Sequence, residues 1–175
     1  MNIRADIHPR LWVMNMPVYL FTFHAYRSWM PDRPQGYVRP GQGVLPQDPK
    51  MSQHYARRAK HDEVRFDATQ RWRLVDEAGE VCARQGWEIY EATATRSHTH
   101  LLVGWRTDAK WKDVSNRLKR RLGYALSMLA NRPGPWFSRG SSRKRVRDRE
   151  HFEHLLQTYL PKHGPICWSR RKEPR

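Results

Sequence analysis

The chain has 175 residues, which suits one domain, and its 33 lysine and arginine residues against 17 aspartate and glutamate residues give a formal net charge of +16. This surplus is typical of proteins that bind polyanions, whereas the sequence lacks a membrane-spanning apolar segment, a signal peptide, and the cysteine spacing of a disulfide framework or a zinc ribbon. We therefore expect a reduced, cytoplasmic, nucleoid-associated protein whose partner is nucleic acid.

The first predicted element is a strand in the segment PVYLFTFHAY, which is rich in aromatic and β-branched residues. Alternation along this strand places Tyr19, Phe21 and Phe23 on one face. Residues 27–50 are rich in proline and glycine, so no regular element is expected there. The whole insertion, 27–65, is predicted to be a long loop, and a loop of this length in a folded domain is often functional.

A helix is predicted to begin after Asp67, a suitable N-cap, and to end at Gly86, a typical residue at a helix C-terminus. Two strands follow, at 87–95 and 98–105, and the short link between them predicts a hairpin. The second helix, 110–131, shows apolar residues at helical spacing along one side.

The segment SSRKRVR, residues 141–147, predicts a short basic edge strand, and a third helix is expected from a cap at Asp148 to a stop near Gly164. Side chains of the types that contact phosphates or stack on bases lie on the second helix, on this strand and in the insertion. The candidates for nucleic-acid contacts are Lys119, Arg120, Arg121, Arg143, Lys144, Arg145 and Trp29.

The order of these elements is strand, helix, strand, strand, helix, strand, followed by an extra helix. This order predicts an α+β fold, a ferredoxin-like or RRM-like βαββαβ sandwich in which two helices cover one face of a four-stranded antiparallel sheet. We expect an N-terminal extension at 1–16, a single domain at 17–164 and a basic tail at 165–175.

Two histidines, His98 and His100, stand one residue apart at the start of a predicted central strand. Side chains at i and i+2 of a strand project from the same face. The alternate residues are more apolar and should pack on the helices, so the histidines should lie on the open face. Two imidazoles placed in this way can bind one metal ion or one phosphate, and two half-exposed histidines without a ligand are the alternative.

The closing helix carries an apolar stripe that includes Tyr159, and His163 follows four residues later. Residues at this spacing lie one turn apart on the same side of a helix. If the helix lies across the open face of the sheet, a tyrosine and a third imidazole come close to the histidine pair.

These residues resemble the motifs of the HUH single-tyrosine transposases, and within them the REP-associated tyrosine transposases. That family carries a His-hydrophobic-His triplet on a central strand, a nucleophilic tyrosine on a later helix and a further ligand about one turn beyond it. The triplet is similar to residues 98–100, the nucleophile to Tyr159 and the further ligand to His163, and the resemblance extends from Pro17 to His163.

The resemblance implies a metal-dependent single-stranded DNA endonuclease and strand transferase that forms a 5′-phosphotyrosine intermediate. It implies that His98, His100 and His163 bind a divalent cation, Mg²⁺ or Mn²⁺, and that Tyr159 is the catalytic residue. The implied partners are single-stranded DNA next to a hairpin and a second copy of the chain in a homodimer.

The sequence departs from the family pattern at three positions. Thr99 takes the place of a larger apolar residue, and His163 replaces the more common amide. Pro161 lies between the tyrosine and His163, where it removes a backbone donor and interrupts a regular α-helix.

Two other functions fit parts of the same pattern. A non-catalytic, domesticated RRM-like protein could stack bases on Tyr19, Phe21 and Phe23. A replication initiator or relaxase would share the chemistry, but the tyrosine here follows the histidine pair and no helicase region is present. Tyr124, on the second helix, is the rival nucleophile, although no histidine lies one turn from it.

Overall fold

The computed structural model describes residues 16–39 and 41–163, together with the backbone of 167–169. The predicted N-terminal extension lies outside the described residues except for Met16, and so does the predicted tail except for that short backbone segment.

The described chain contains seven strands and four α-helices. The strands are β1 (Val18–His24), β2 (Tyr37–Arg39), β3 (Gly43–Leu45), β4 (Glu88–Ala94), β5 (His98–Gly104), β6 (Ser142–Arg145) and β7 (Cys167–Ser169). The helices are α1 (Pro49–Arg58), α2 (Ala68–Gln85), α3 (Trp111–Ala130) and α4 (Arg149–His154), and α4 continues as a π-helical turn (Leu155–Tyr159) and a 3₁₀ turn (Leu160–His163). None of the described helices is both long and apolar enough to cross a membrane.

The main sheet has the strand order β6-β1-β5-β4-β7, and every neighbouring pair is antiparallel. The four predicted strands take the order of a ferredoxin-like βαββαβ fold, so the predicted α+β fold class is confirmed. The hairpin between β4 and β5 is also present, and β6 lies at the sheet edge as predicted. Strand β7 extends the opposite edge beside β4 and was not predicted.

The expectation that residues 27–50 form no regular element is wrong. Strands β2 and β3 pair as a separate two-stranded sheet, and Gly41 and Gly43 between and within them have φ values of 80° and 72°, which glycine adopts without strain. Helix α1 begins at Pro49, where a missing backbone N–H costs no helical bond. The Asp48 side chain caps it by accepting a hydrogen bond from the Met51 N–H at 2.8 Å.

The predicted boundaries of α2 are confirmed. Asp67 accepts a hydrogen bond from the Gln70 N–H, and the Gln70 side chain accepts one from the Asp67 N–H in return. This reciprocal capping box gives an acceptor to two backbone N–H groups that the first turn of the helix cannot pair itself. Gly86 ends the helix in the left-handed conformation, with φ of 65°.

Two apolar cores lie on opposite faces of the main sheet. The larger core fills the space between the sheet and helices α2 and α3, and it contains Phe21, Phe23, Leu101, Val103, Leu74 and Leu118. The smaller core joins the other face of the sheet to the C-terminal helical segment, and it contains Leu20, Leu102, Phe152, Leu155 and Leu160. The C-terminal segment therefore covers part of the face that carries the predicted histidines.

A buried carboxylate connects α2 to α3. Glu77 is 1% exposed, and its oxygens accept hydrogen bonds from the guanidinium groups of Arg73, Arg84 and Arg121. A buried charge is stable only when it is paired and hydrogen-bonded, and here three cations at the rim of the helix pair supply both.

We predict that Glu77→Gln lowers the free energy of unfolding by about 2 kcal/mol. The glutamine amide has no negative charge, and its NH₂ group would face the three guanidinium groups, which are themselves donors. Glu80→Gln is the matched control, since Glu80 also contacts Arg73 and Arg84 but is 48% exposed. Glu80→Gln should lower the free energy of unfolding by less than about 1 kcal/mol. Urea denaturation followed by circular dichroism measures both changes, and equal losses for the two variants would contradict this account of the buried carboxylate.

Candidate functional site

The site is built on the pairing of β5 with its two neighbours. His100 lies opposite Thr22 of β1, and His98 lies opposite His24. The residues that alternate with the histidines, Leu101 and Val103 among them, enter the larger core. The prediction that the histidines face away from the helices is therefore confirmed.

His100 is almost fully buried, with 3% exposure. Its Nδ1 atom lies 2.8 Å from the Thr22 Oγ1 atom, while its Nε2 atom is buried and has no hydrogen-bond partner among the described residues. Burial, followed by the nearby His98, His163 and His24, lowers the pKa of His100 to about 3. The ring is therefore neutral at physiological pH and offers a nitrogen that has no partner in the described part of the chain.

His98 is half-buried and also has its Nδ1 atom beside hydroxyl groups. The Ser97 Oγ and Thr95 Oγ1 atoms lie 3.0 Å and 3.1 Å from it. Its Nε2 atom lies 3.4 Å from the Nδ1 atom of His163. Burial, followed by the nearby His24 and His163, lowers the pKa of His98 to about 4, so this ring is neutral as well.

His163 reaches the pair because the C-terminal segment changes its helix type. The Leu160 N–H bonds to the Leu155 carbonyl across a π turn, and a 3₁₀ turn then runs from Leu160 to His163. The α-helix ends at His154, and Pro161, inside the 3₁₀ turn, has no N–H for an α-helical bond. In a 3₁₀ turn residues three apart lie above one another, and buried Leu160 therefore directs His163 toward the sheet.

The three histidines form a group that could hold a metal ion. One ligand nitrogen from each of His98, His100 and His163 lies within 4.8 Å of the others. Two nitrogen ligands of one ion at about 2.0–2.1 Å are themselves roughly 3.0–3.4 Å apart, and the 3.4 Å between His98 and His163 agrees with this. The unpartnered Nε2 atom of His100 supports the same reading, and within the described residues no carboxylate or thiol joins the group.

Tyr159 lies directly beside this group. Its ring centre is 4.4 Å from that of His163 and 5.5 Å from that of His100. Burial raises the pKa of Tyr159, so the phenol is protonated at neutral pH. The rival Tyr124 is 54% exposed on α3, where its ring contacts Arg121.

His24 extends the line of imidazoles toward the insertion. Its ring centre is 5.7 Å from that of His98 and 4.5 Å from that of Trp29, and the Arg33 guanidinium lies 4.0 Å over Trp29. Burial, followed by Arg33 and Lys119, lowers the pKa of His24 to about 4. Trp29 is 39% exposed, so the predicted stacking residue lies at the edge of the histidine group.

The predicted basic residues of α3 belong to the helix layer, although the Lys119 ammonium comes close enough to His24 to lower its pKa. The Lys119 ammonium bonds to the carbonyls of Ser138 and Gly140, and Arg121 pairs with Glu77, so both charges have partners inside the domain. Arg120 is exposed on the same helix. Their DNA contacts stay a prediction.

The basic edge strand divides its residues between the two faces of the sheet. Lys144 lies opposite Leu20, on the histidine face, and lines a cleft of about 450 Å³ that also reaches Tyr159. Arg143 and Arg145 lie on the helix face, where the Arg143 guanidinium is 3.6 Å over the Trp111 ring. Of the three predicted cations on this strand, Lys144 is therefore the one that shares a surface with the tyrosine.

The residues that sequence reasoning missed are those that support the histidines. Thr22, His24, Thr95 and Ser97 contact His98 or His100 directly. Alternation along β1 assigns Thr22 and His24 to the face opposite the aromatic residues, which was the available signal. The register that sets Thr22 beside His100 was not readable from the sequence.

No family model matches the chain, and no curated protein matches it. Among solved structures, the chain is similar to a candidate transposase from Deinococcus radiodurans, with 12% identity, a TM-score of 0.46, and coverage of 86% of this chain and 92% of that one. It is also similar to a REP-associated tyrosine transposase bound to a REP hairpin, with 12% identity, a TM-score of 0.48, and coverage of 86% and 75%. The fold described above rests on the strand order and pairing of this chain.

We predict that His163→Ala weakens Mn²⁺ binding by more than roughly tenfold, because it removes the nitrogen that closes the group from the C-terminal segment. His154→Ala is the matched control, since His154 is an exposed histidine on the same segment. Isothermal titration calorimetry on the metal-free protein measures both. Equal affinity in the two variants would exclude His163 as a ligand.

Proposed function

We propose that the chain is a metal-dependent single-stranded DNA endonuclease and strand transferase with one catalytic tyrosine. In this proposal His98, His100 and His163 hold a divalent cation and Tyr159 is the nucleophile. The observation that carries it is the convergence of three imidazoles from β5 and the C-terminal segment beside the Tyr159 ring. The resemblance in the order and spacing of these residues supports the same assignment.

The residues divide the chemistry between them. Tyr159 is protonated at neutral pH and is therefore a weak nucleophile without assistance. A bound divalent cation would polarise the scissile phosphate and offset the charge that develops on it. The three imidazoles are neutral and bring no negative charge to the site, so an anionic phosphate is not repelled by its own binding groups.

The reaction proposed is a direct exchange of one phosphodiester for another. The Tyr159 Oη atom forms a bond to phosphorus while the bond from phosphorus to the 3′ oxygen breaks. The phenolic proton passes to solvent, and the released 3′ oxygen takes up a proton, so the step consumes neither an oxidant nor a nucleotide cofactor. The 5′-phosphotyrosine bond retains the energy needed for rejoining to a second strand.

The proposed substrate is single-stranded DNA next to a hairpin, as the resemblance implies. The net charge of +16 supports a polyanionic partner, and Lys144 and Trp29 lie on the surface that carries the site. A homodimer follows from the same resemblance and stays a prediction.

The non-catalytic alternative required Tyr19, Phe21 and Phe23 to lie on an exposed face of the sheet. Phe21 and Phe23 are fully buried in the core beneath the helices, and Tyr19 packs against that core. Phe21 and Phe23 are therefore not available for stacking on bases, and the half-buried Tyr19 points to the helix side of the sheet with them.

We predict a covalent adduct when the protein is mixed with Mn²⁺ and single-stranded oligonucleotides that tile the flanks of its own gene. Intact-mass spectrometry should show an added-nucleotide mass on the unmodified chain and none on Tyr159→Phe, because the phenylalanine has no nucleophilic oxygen.

Tyr124→Phe is the matched control and should form the adduct normally. An adduct on Tyr159→Phe but not on Tyr124→Phe would assign the nucleophile to Tyr124. No adduct on any variant, together with metal-independent DNA binding, would favour the non-catalytic function.

We also predict that Mn²⁺ binds more tightly than Mg²⁺ and supports adduct formation, because an all-imidazole site favours a transition metal over a cation that prefers oxygen ligands. Competition titration of the metal-free protein compares the two affinities. Activity with Mg²⁺ and none with Mn²⁺ would contradict this ligand assignment.

A further inference from the structure

The hydroxyl groups around the histidine pair determine which ring nitrogens carry protons. Each imidazole of the pair has its Nδ1 atom beside a hydroxyl oxygen and its Nε2 atom directed elsewhere. A neutral imidazole carries one proton, on either Nδ1 or Nε2, and only the unprotonated nitrogen can bind a metal ion. The direction of each hydrogen bond therefore decides whether the pair is ready for a cation.

For His98 the acceptor for a proton on Nδ1 is the Ser97 hydroxyl. The Thr95 oxygen already accepts hydrogen bonds from the N–H groups of Ser97 and His98, at 3.3 Å and 3.1 Å, so it has no lone pair left for an Nδ1–H. The Ser97 Oγ atom, 3.0 Å from Nδ1, can accept that bond. With this bond in place the lone pair of His98 is on Nε2, which faces His163.

For His100 the argument comes from burial. Thr22 is the cross-strand neighbour of His100, and the contact between its Oγ1 atom and Nδ1, at 2.8 Å, is buried. If Thr22 were the donor, the proton of His100 would be on Nε2, a buried atom with no acceptor among the described residues. Buried N–H groups without an acceptor are rare. If Nδ1 is the donor, Nε2 carries a lone pair that a cation can use.

We propose that the hydroxyls of Thr22 and Ser97 form a clamp that holds His100 and His98 as Nδ1–H tautomers and presents both Nε2 lone pairs to a divalent cation. Thr95 supports the clamp by accepting hydrogen bonds from the Ser97 and His98 N–H groups. This inference rests on the proposed metal site and assigns its supporting residues. These hydroxyl residues are positioning residues, since they act through the imidazoles.

The chemistry of the clamp also affects the cation. Partners of metal-bound histidines raise the basicity of the ligand, and carboxylates do so more than neutral groups. A clamp made of hydroxyls leaves more positive charge on the ion than carboxylate partners would. A site of this kind suits an anionic phosphodiester, which is the ligand class that the proposed function requires.

The clamp is tested by removing one hydroxyl without changing side-chain shape. Thr22→Val should weaken Mn²⁺ binding roughly tenfold, while Thr22→Ser, which keeps the hydroxyl, should stay within about threefold of the unmodified chain. Thr99→Val is the matched control. Thr99 is fully buried on β5, the strand that carries His100, and its hydroxyl donates to the Thr93 carbonyl at 2.8 Å on the helix side of the sheet. The control should lose stability and keep its affinity for Mn²⁺.

Long-range ¹⁵N–¹H spectra of the metal-free protein give a second, independent measurement. The Nδ1 atoms of His98 and His100 should be protonated and their Nε2 atoms unprotonated in the unmodified chain. Thr22→Val should lose the preference for the Nδ1–H tautomer at His100, whereas Thr22→Ser, which keeps the hydroxyl, should retain it. Nε2–H tautomers in the unmodified chain, or equal Mn²⁺ affinities in Thr22→Val and Thr99→Val, would overturn the clamp.

Neither measurement requires DNA or cleavage, so the clamp and the proposed function can fail separately. A protein that behaves as expected in both tests but forms no covalent adduct would retain the clamp and lose the nuclease. An adduct formed equally well by Thr22→Val, with unchanged Mn²⁺ affinity, would retain the nuclease and remove the clamp. No Mn²⁺ binding by the unmodified chain would overturn the clamp together with the metal site.

Discussion

The register between β1 and β5 is the constraint on which the rest of the site depends. It places Thr22 beside His100 and His24 beside His98, while Phe21 and Phe23 enter the larger core. Because side chains alternate along a strand, a slip of one residue would turn both phenylalanines to the other face. Burial of apolar side chains on the helix side therefore stabilises this register. The same register then positions the hydroxyl and imidazole groups on the other face of the sheet.

The sequence predicted the parts of the structure that depend on local pattern. Alternation assigned His98 and His100 to the correct face, and the cap at Asp67 and the glycine at 86 gave the bounds of α2. The hairpin and the helix within the 27–65 insertion were missed because the numbers of prolines and glycines do not reveal which positions in turns and caps these residues take. Thr22 was missed because cross-strand neighbours depend on long-range pairing, which a single sequence does not contain.

The positive charge of the chain is a poor guide to where a polyanion binds. Arg121 is one of three guanidiniums that surround the buried Glu77, and Lys119 holds two carbonyls of a loop. These cations are used for folding, on the layer behind the sheet. On the histidine face the imidazoles are neutral, and Lys144 is the predicted cation beside the tyrosine. A net positive charge attracts a polyanion without specifying where it binds, whereas the histidine face of this chain is marked by a few uncharged groups.

Pro161 shows how a local interruption can serve the assembly of a site. In a continuous α-helix, Tyr159 and His163 would share a face simply because they are four residues apart. The α-helix instead ends at His154, and a π turn followed by the 3₁₀ turn that contains Pro161 continues the segment to His163. Leu160 anchors the turn in the smaller core, and His163, three residues later, takes the same direction toward the sheet. Pro161 is thus compatible with a third imidazole beside the pair.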